Sequence, residues 1–298
     1  MPIQQTQQTN NPRHVGGPPG SWRRISICLD DFGHHSGVNQ AALALARAGR
    51  VQALSAMVGA PAWGAGAQAL REGGADEAEV GLHLDLTEHP LHPALRLPLP
   101  QLVARAYLGQ LDAAALRAEI RAQLDAFEHH LGRPPAYVDG HQHVHQLPVV
   151  RGLLVDEVVR RYPVGTLWLR ATHAGMRRDV KSQVIAALGA RGLAALAHRA
   201  GLPQNGRLLG VYGFTGGPEQ YRERLAHWLQ VARDGDLLMC HARLAGPGTA
   251  PPFEQAMQAE FAVLSGPQAP TLLAQAHVRL RPMREILSLA GSTPSQAR

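Results

Sequence analysis

Short apolar segments alternate with longer amphipathic segments along most of this chain of 298 residues. Seven of the short segments have the length and composition of β-strands, and helical apolar spacing follows most of them. An eighth strand segment, at 277–280, is weaker. Alternating strands and helices form parallel sheets through right-handed crossovers. The pattern predicts an α/β fold, an incomplete TIM-like (β/α) barrel of about seven parallel strands, with an open doubly wound sheet as the alternative.

The two ends of the chain differ in composition from the rest. Residues 1–21 are polar and contain several Gly and Pro, and residues 291–298 are similar. Because such sequences bury too little apolar surface to become ordered, we predict two flexible tails around a single barrel domain at 22–290. The first residues lack the apolar core of a signal peptide, and no apolar run reaches membrane-span length. We expect a cytoplasmic protein without a membrane partner.

The charge distribution argues against a nucleic-acid partner. The net charge is +6, but the basic residues form no dense run and no stripe with interleaved aromatic residues. The chain has two cysteines, Cys28 and Cys240, too few for a disulfide framework. Both are expected to be small buried residues.

Ionisable residues occur near the ends of four predicted strands. Successive side chains of a strand point to opposite faces, and on each of these strands one face is apolar. The other row carries ionisable residues at or near its C-terminal end, which predicts that these side chains meet at the C-terminal mouth of the barrel, where active sites of such barrels lie. The converging residues are Asp30, Asp31, His83, His141 and His241.

One carboxylate and two imidazoles can hold a divalent ion while leaving positions open for water and substrate. A metal ion would also explain two adjacent aspartates, since it neutralises one and leaves the other free as a base. In "YVDGHQHVHQLP", Asp139 is expected to orient a metal ligand. His143 and His145 lie past the strand end, where contact with substrate and exposure to solvent are both open. The histidines expected at the surface are His34, His35, His89, His92, His129 and His130.

Four motifs together resemble the YdjC-like carbohydrate deacetylase family, which includes chitooligosaccharide deacetylases and hopanoid-associated relatives. They are "LDDFGHHSGVN", "VGLHLDLT", "YVDGHQHVHQLP" and "LMCH", in this order. The resemblance covers the chain from about Ile25 to His241. It implies an incomplete TIM-like barrel that binds one divalent metal ion and removes an acetyl group from an N-acetylated amino sugar or chito-oligosaccharide.

The resemblance also implies roles for individual residues. Asp31, His83 and His141 match the metal ligands, Asp30 matches the catalytic base, and His241 matches a candidate general acid. The family's His-Pro-Gly is replaced here by "HARLAGPG". Family members are often described with Mg²⁺, whereas two imidazoles suit Zn²⁺ or Mn²⁺ better.

Two other functions stay open on the sequence alone. A phosphoesterase or another amidohydrolase could use the same barrel, although a phosphoesterase would more often need several basic residues or a second metal near the site. Arg170, at the end of its strand, is the candidate for such a substrate contact or for support of the site. A non-catalytic sugar-binding barrel is the other alternative. The proline-rich stretch 87–109 is expected to wall the pocket or to pack against a second subunit, as in a homodimer.

Overall fold

The computed structural model describes residues 21–174, 180–246 and 250–290. Apart from Ser21, the predicted tails lie outside these residues. The strands are β1 Arg23–Phe32, β2 Ala53–Ala56, β3 Glu79–Leu84, β4 Tyr137–Gly140, β5 Trp168–Leu169, β6 Leu208–Leu209, β7 Leu237–Cys240 and β8 Val278–Leu280. Seven of them form a parallel sheet in the order β5-β4-β3-β2-β1-β7-β6, and β8 pairs with the start of β1.

This sheet curls into a barrel that is not closed by a continuous ladder. Among the described residues, the isolated bridges Leu169–Gln204 and Ala174–Leu208 join the β5 side to the β6 side, together with side-chain hydrogen bonds between Asn205 and the Ala171 backbone. The prediction of an incomplete TIM-like barrel is therefore confirmed, and the doubly wound alternative is wrong.

Helices surround the sheet, and some of them were not predicted. They are α1 Ser36–Arg47, α2 Trp63–Arg71, α3 Leu99–Tyr107, α4 Ala113–Leu131, α5 Val150–Arg161, α6 Val180–Ala187, α7 Ala190–Arg199, α8 Pro218–Val231, α9 Pro252–Ser265, α10 Ala269–Gln275 and α11 Met283–Ala290. α3 lies inside the stretch 87–109, because prolines are tolerated in the first turn of a helix. In the described part of the chain, no single helix is long and apolar enough to span a membrane. The pair α6 and α7 meets these two criteria together, but the two helices are separated by a 49° bend.

Strand alternation separates the inside of the barrel from the layer between sheet and helices. Cys28, Tyr137, Trp168 and Met239 pack together in the interior, where the Tyr137 and Trp168 rings stack with centroids 4.3 Å apart. The alternate residues of the same strands, such as Leu29, pack against the helices. The predicted apolar outer row is confirmed, and the inner row is itself largely apolar below the ionisable residues at the strand ends. Both cysteines are buried and free.

A β-bulge interrupts β1 at the paired aspartates. Leu29 pairs with Leu54 and Phe32 with Ala56, so three steps along β1 match two along β2. Asp31 lies in the bulge and has a φ of 66°, which is unusual for a residue other than glycine. Regular alternation would send Asp30 and Asp31 to opposite faces. With the bulge, both contact polar residues at the mouth of the barrel.

Candidate metal centre

Three sequence-distant side chains meet at the C-terminal mouth of the barrel. The Oδ1 atom of Asp31 lies 3.3 Å from His83 Nε2 and 2.9 Å from His141 Nδ1. The ligand atoms of the three residues all lie within 4.8 Å of one another. A carboxylate and two imidazoles at this separation fit a divalent cation that keeps open positions.

A carboxylate stands behind each imidazole. His83 donates its Nδ1–H to Asp139 Oδ1 over 2.6 Å, which fixes the tautomer and turns Nε2 towards Asp31. On the other side, Glu88 Oε1 lies 3.1 Å from His141 Nε2. Burial lowers the pKa of His83, but Asp139 and Asp31 outweigh it and raise the pKa to about 9. The carboxylates that stabilise positive charge on the imidazoles would also stabilise a cation bound between them.

Arg170 lies beneath this cluster and holds two carboxylates. Its Nη1 and Nη2 atoms each lie 2.6 Å from one oxygen of Asp30, and Nη2 lies 2.7 Å from Asp139 Oδ2. Ser55 adds a hydrogen bond of 2.7 Å to Asp139. Although burial raises the pKa of Asp30, the guanidinium of Arg170 holds it well below its usual range. Because Arg170 is 0% exposed, its position suits support of the site and not contact with a substrate.

His241 follows β7 and faces the same space. Its Nε2 atom is 4.0 Å from Asp30 Oδ2, and its ring meets Phe214 edge-on. Its backbone N–H donates to the buried Glu260 of α9 over 2.5 Å, and Tyr212 donates its hydroxyl to the other Glu260 oxygen over 2.6 Å. Burial lowers the pKa of His241 and raises that of Glu260 to about 8.

The raised pKa of Glu260 predicts that the stability of the folded protein depends on pH. The folded protein keeps the Glu260 proton up to about pH 8, whereas the unfolded chain loses it near pH 4.5. Between these values the unfolded state binds fewer protons, so the free energy of unfolding falls as pH rises. Relative to a Glu260→Gln variant, the wild type should lose on the order of 1–4 kcal/mol between pH 5 and pH 8. Urea unfolding at the two pH values measures this, with the exposed Glu219→Gln as control. Parallel profiles of wild type and Glu260→Gln would contradict it.

The other two histidines of "YVDGHQHVHQLP" do not continue the strand. β4 ends at Gly140, and a 3₁₀ segment spans His141–Gln146, so His143 and His145 lie past the strand end, as the sequence predicts. His145 is buried and donates Nε2–H to the Arg170 carbonyl oxygen over 3.1 Å; burial lowers its pKa to about 4. His143 has a φ of 61°, and its buried Nδ1 has no hydrogen-bond partner among the described residues.

Several residues near the site were not predicted. Glu88 lies in the loop after β3, where its position just beyond a strand end was a signal that could have been used. His34 and His89, expected at the surface, are half-buried beside it. Ser55 and Glu260 gave no signal, because a serine in an apolar strand and a glutamate in an amphipathic helix are ordinary residues there.

Comparison with known proteins identifies the family of this chain. Residues 24–275 match the family described as YdjC-like protein. Human carbohydrate deacetylase is 30% identical over 189 residues, which cover 54% of this chain and 58% of the relative. A chitooligosaccharide deacetylase of Yersinia enterocolitica is 33% identical over 137 residues, 44% of this chain and 53% of the relative.

The alignments thus span little more than half the length of these relatives. Among solved structures, an Enterococcus faecalis V583 protein provisionally named for cellobiose-phosphate cleavage superposes with a TM-score of 0.66. It is 17% identical, and the match covers 90% of this chain and 100% of that one, which shows a common fold. Since the family match extends over most of the sequence, the chain belongs to the YdjC-like protein family.

Proposed function

We propose that this protein is a metal-dependent hydrolase that removes the acetyl group from an N-acetylated amino sugar or chito-oligosaccharide. The observation that carries the proposal is the convergence of Asp31, His83 and His141 beside a second carboxylate, Asp30, that Arg170 keeps ionised. The names of the two relatives, a carbohydrate deacetylase and a chitooligosaccharide deacetylase, support the same reaction and a carbohydrate substrate.

Asp31, His83 and His141 would hold one divalent ion. Such an ion supplies Lewis acidity towards a carbonyl oxygen and lowers the pKa of water towards neutrality. The family resemblance favours Mg²⁺, whereas the two imidazoles favour Zn²⁺ or Mn²⁺. Asp139 accepts the Nδ1–H of His83, so that Nε2 is the nitrogen left to bind the ion, which would displace the Nε2 proton.

Asp30 is proposed as the base that takes a proton from the attacking water. Arg170 keeps it ionised at neutral pH and fixes its position, since both carboxylate oxygens are bound. The neighbouring His241 would protonate the departing amine, because an amine anion is a very poor leaving group. Its Nε2 lies 4.0 Å from Asp30 Oδ2, and burial keeps its pKa low. In this scheme the proton that Asp30 takes from water passes to His241 and from there to the departing amine, so Asp30 and His241 both return to their starting states.

Two further residues complete the proposal. His143 is proposed to lie beside the sugar, and His145 to position Arg170 through the carbonyl contact. A phosphoesterase is disfavoured, since both ends of the Arg170 guanidinium are already engaged by carboxylates. Action in the cytoplasm without nucleic-acid or membrane partners, and assembly as a homodimer, remain predictions.

Acetate release from an N-acetylated chitobiose tests this function. Metal-free wild-type protein should be inactive and should regain activity with one equivalent of Zn²⁺, Mn²⁺ or Mg²⁺. A His83→Ala variant should lose at least about 100-fold in metal affinity and in turnover, because it removes a ligand. Phosphate release from a phosphoester is assayed in parallel. Phosphate release without acetate release, or a fully active His83→Ala variant, would refute the proposal.

A further inference from the structure

A second group of metal-binding side chains lies at the rim of the barrel mouth. We call His34, Glu88 and His89 the rim cluster. Their candidate ligand atoms lie within 4.8 Å of one another, and all three residues are half-buried. The His34 Nε2 atom is 3.1 Å from Glu88 Oε2, and the two imidazole ring centroids are 5.5 Å apart.

The loop that carries two of these residues is held in place. Asp85 accepts backbone N–H bonds from Thr87, Glu88 and His89 through its two carboxylate oxygens, at 2.7, 3.1 and 2.5 Å. The loop also packs closely on Gly59, where an added Cβ would stand 2.0 Å from the His89 carbonyl oxygen. The rim cluster is thus presented by an ordered turn, which lowers the entropic cost of gathering three ligands.

Glu88 connects the rim cluster to the candidate metal centre. Its Oε1 atom lies 3.1 Å from His141 Nε2, whereas Oε2 faces His34. One carboxylate can therefore support His141 and still offer an oxygen to a cation on the other side. Two imidazoles and one carboxylate form a donor set typical of Zn²⁺, and partial exposure leaves room for water ligands.

We propose that the rim cluster is a second divalent-cation site, selective for Zn²⁺, Co²⁺ or Ni²⁺ over Mg²⁺. The selectivity follows from its two nitrogen donors, since Mg²⁺ prefers an all-oxygen shell. The site itself needs only His34, Glu88 and His89. Its connection to catalysis through Glu88 rests on the function proposed above.

The test is the stoichiometry of Zn²⁺ bound by the full chain without an affinity tag, measured by calorimetric titration and by metal analysis after desalting. Wild-type protein should bind two Zn²⁺ per chain. His34→Ala and His89→Ala, made separately in case one fails to fold, should each bind one, and so should His83→Ala, which loses the other ion. Excess Mg²⁺ should not displace the rim ion. Replacement of the exposed His198 on α7 by alanine should leave two ions bound.

One Zn²⁺ per wild-type chain would overturn the proposal, and so would two ions in both the His34→Ala and the His89→Ala proteins. Co²⁺ absorption provides an independent readout, since the visible band of the rim ion should vanish in His89→Ala and persist in His83→Ala. A protein that binds two ions but releases no acetate would refute the proposed function and leave the second site standing.

Discussion

Replacement of Asp30 by asparagine is expected to lower the rate of acetate release by about 10²–10⁴-fold while the bound metal is retained. Asparagine keeps the shape of the side chain but cannot accept a proton from water. Asp30 is not one of the three converging ligands, and its oxygens bind Arg170 instead. Steady-state kinetics on an N-acetylated chito-oligosaccharide, together with metal analysis of the same samples, measures both effects.

The exposed Asp76→Asn serves as the matched control for Asp30→Asn and should keep wild-type activity. Loss of metal from Asp30→Asn would mean that Asp30 helps to bind the ion. Full activity with metal bound would show that another group accepts the proton. Circular dichroism and the urea unfolding midpoint separate these outcomes from simple misfolding, since a folded Asp30→Asn protein should match Asp76→Asn in the spectrum and unfold in one cooperative transition.

Replacement of Arg170 by methionine is expected to lower the free energy of unfolding by about 3–5 kcal/mol. Arg170 is fully buried, and it forms ion pairs of 2.6 and 2.7 Å with Asp30 and Asp139. Without the guanidinium, two buried carboxylates face each other with no cation between them. Each must then be protonated or exposed to water, and both changes cost folding free energy.

Urea unfolding measures this loss, and two further variants sharpen the result. Arg222→Met removes an exposed ion pair with Glu219 and should cost no more than about 1 kcal/mol. A triple variant that adds Asp30→Asn and Asp139→Asn to Arg170→Met should recover part of the lost stability, because the unpaired charges are gone. If Arg170→Met were as stable as Arg222→Met, the ion pairs would not contribute as argued.

Much of the fold and of the site could be predicted because both depend on strand periodicity. Alternation along β1, β3 and β4 correctly separated the barrel interior from the helical layer, as Cys28, Tyr137 and Leu29 show. The same alternation placed His83 and the ionisable ends of the strands at one mouth. The structure brings Asp31, His83 and His141 together as the pattern predicted.

The features that were not predicted depart from this periodicity, arise from contacts between segments that are distant in sequence, or are masked by prolines. The turn after Gly140 relies on positive φ angles at Gln142 and His143, which no local residue pattern demands. Glu260 reaches His241 from a helix that begins after the last strand of the main sheet, so only tertiary packing brings them together. The helix α3 was hidden because prolines normally indicate loops.

Because of the β-bulge in β1, the positions of Asp30 and Asp31 depend on the number of residues in this strand. The two residues between Leu29 and Phe32 are Asp30 and Asp31, so deletion of one residue there would let β1 pair with β2 step for step and would also remove one acid. The one remaining acid would follow the outward-facing Leu29 and point into the barrel, without a neighbouring carboxylate. A substitution can remove either carboxylate alone. Both can stand side by side at the mouth of the barrel only if β1 contains the extra residue. Homologous sequences aligned here with a one-residue gap should therefore have a place for the proton acceptor or for the metal ligand, but not for both.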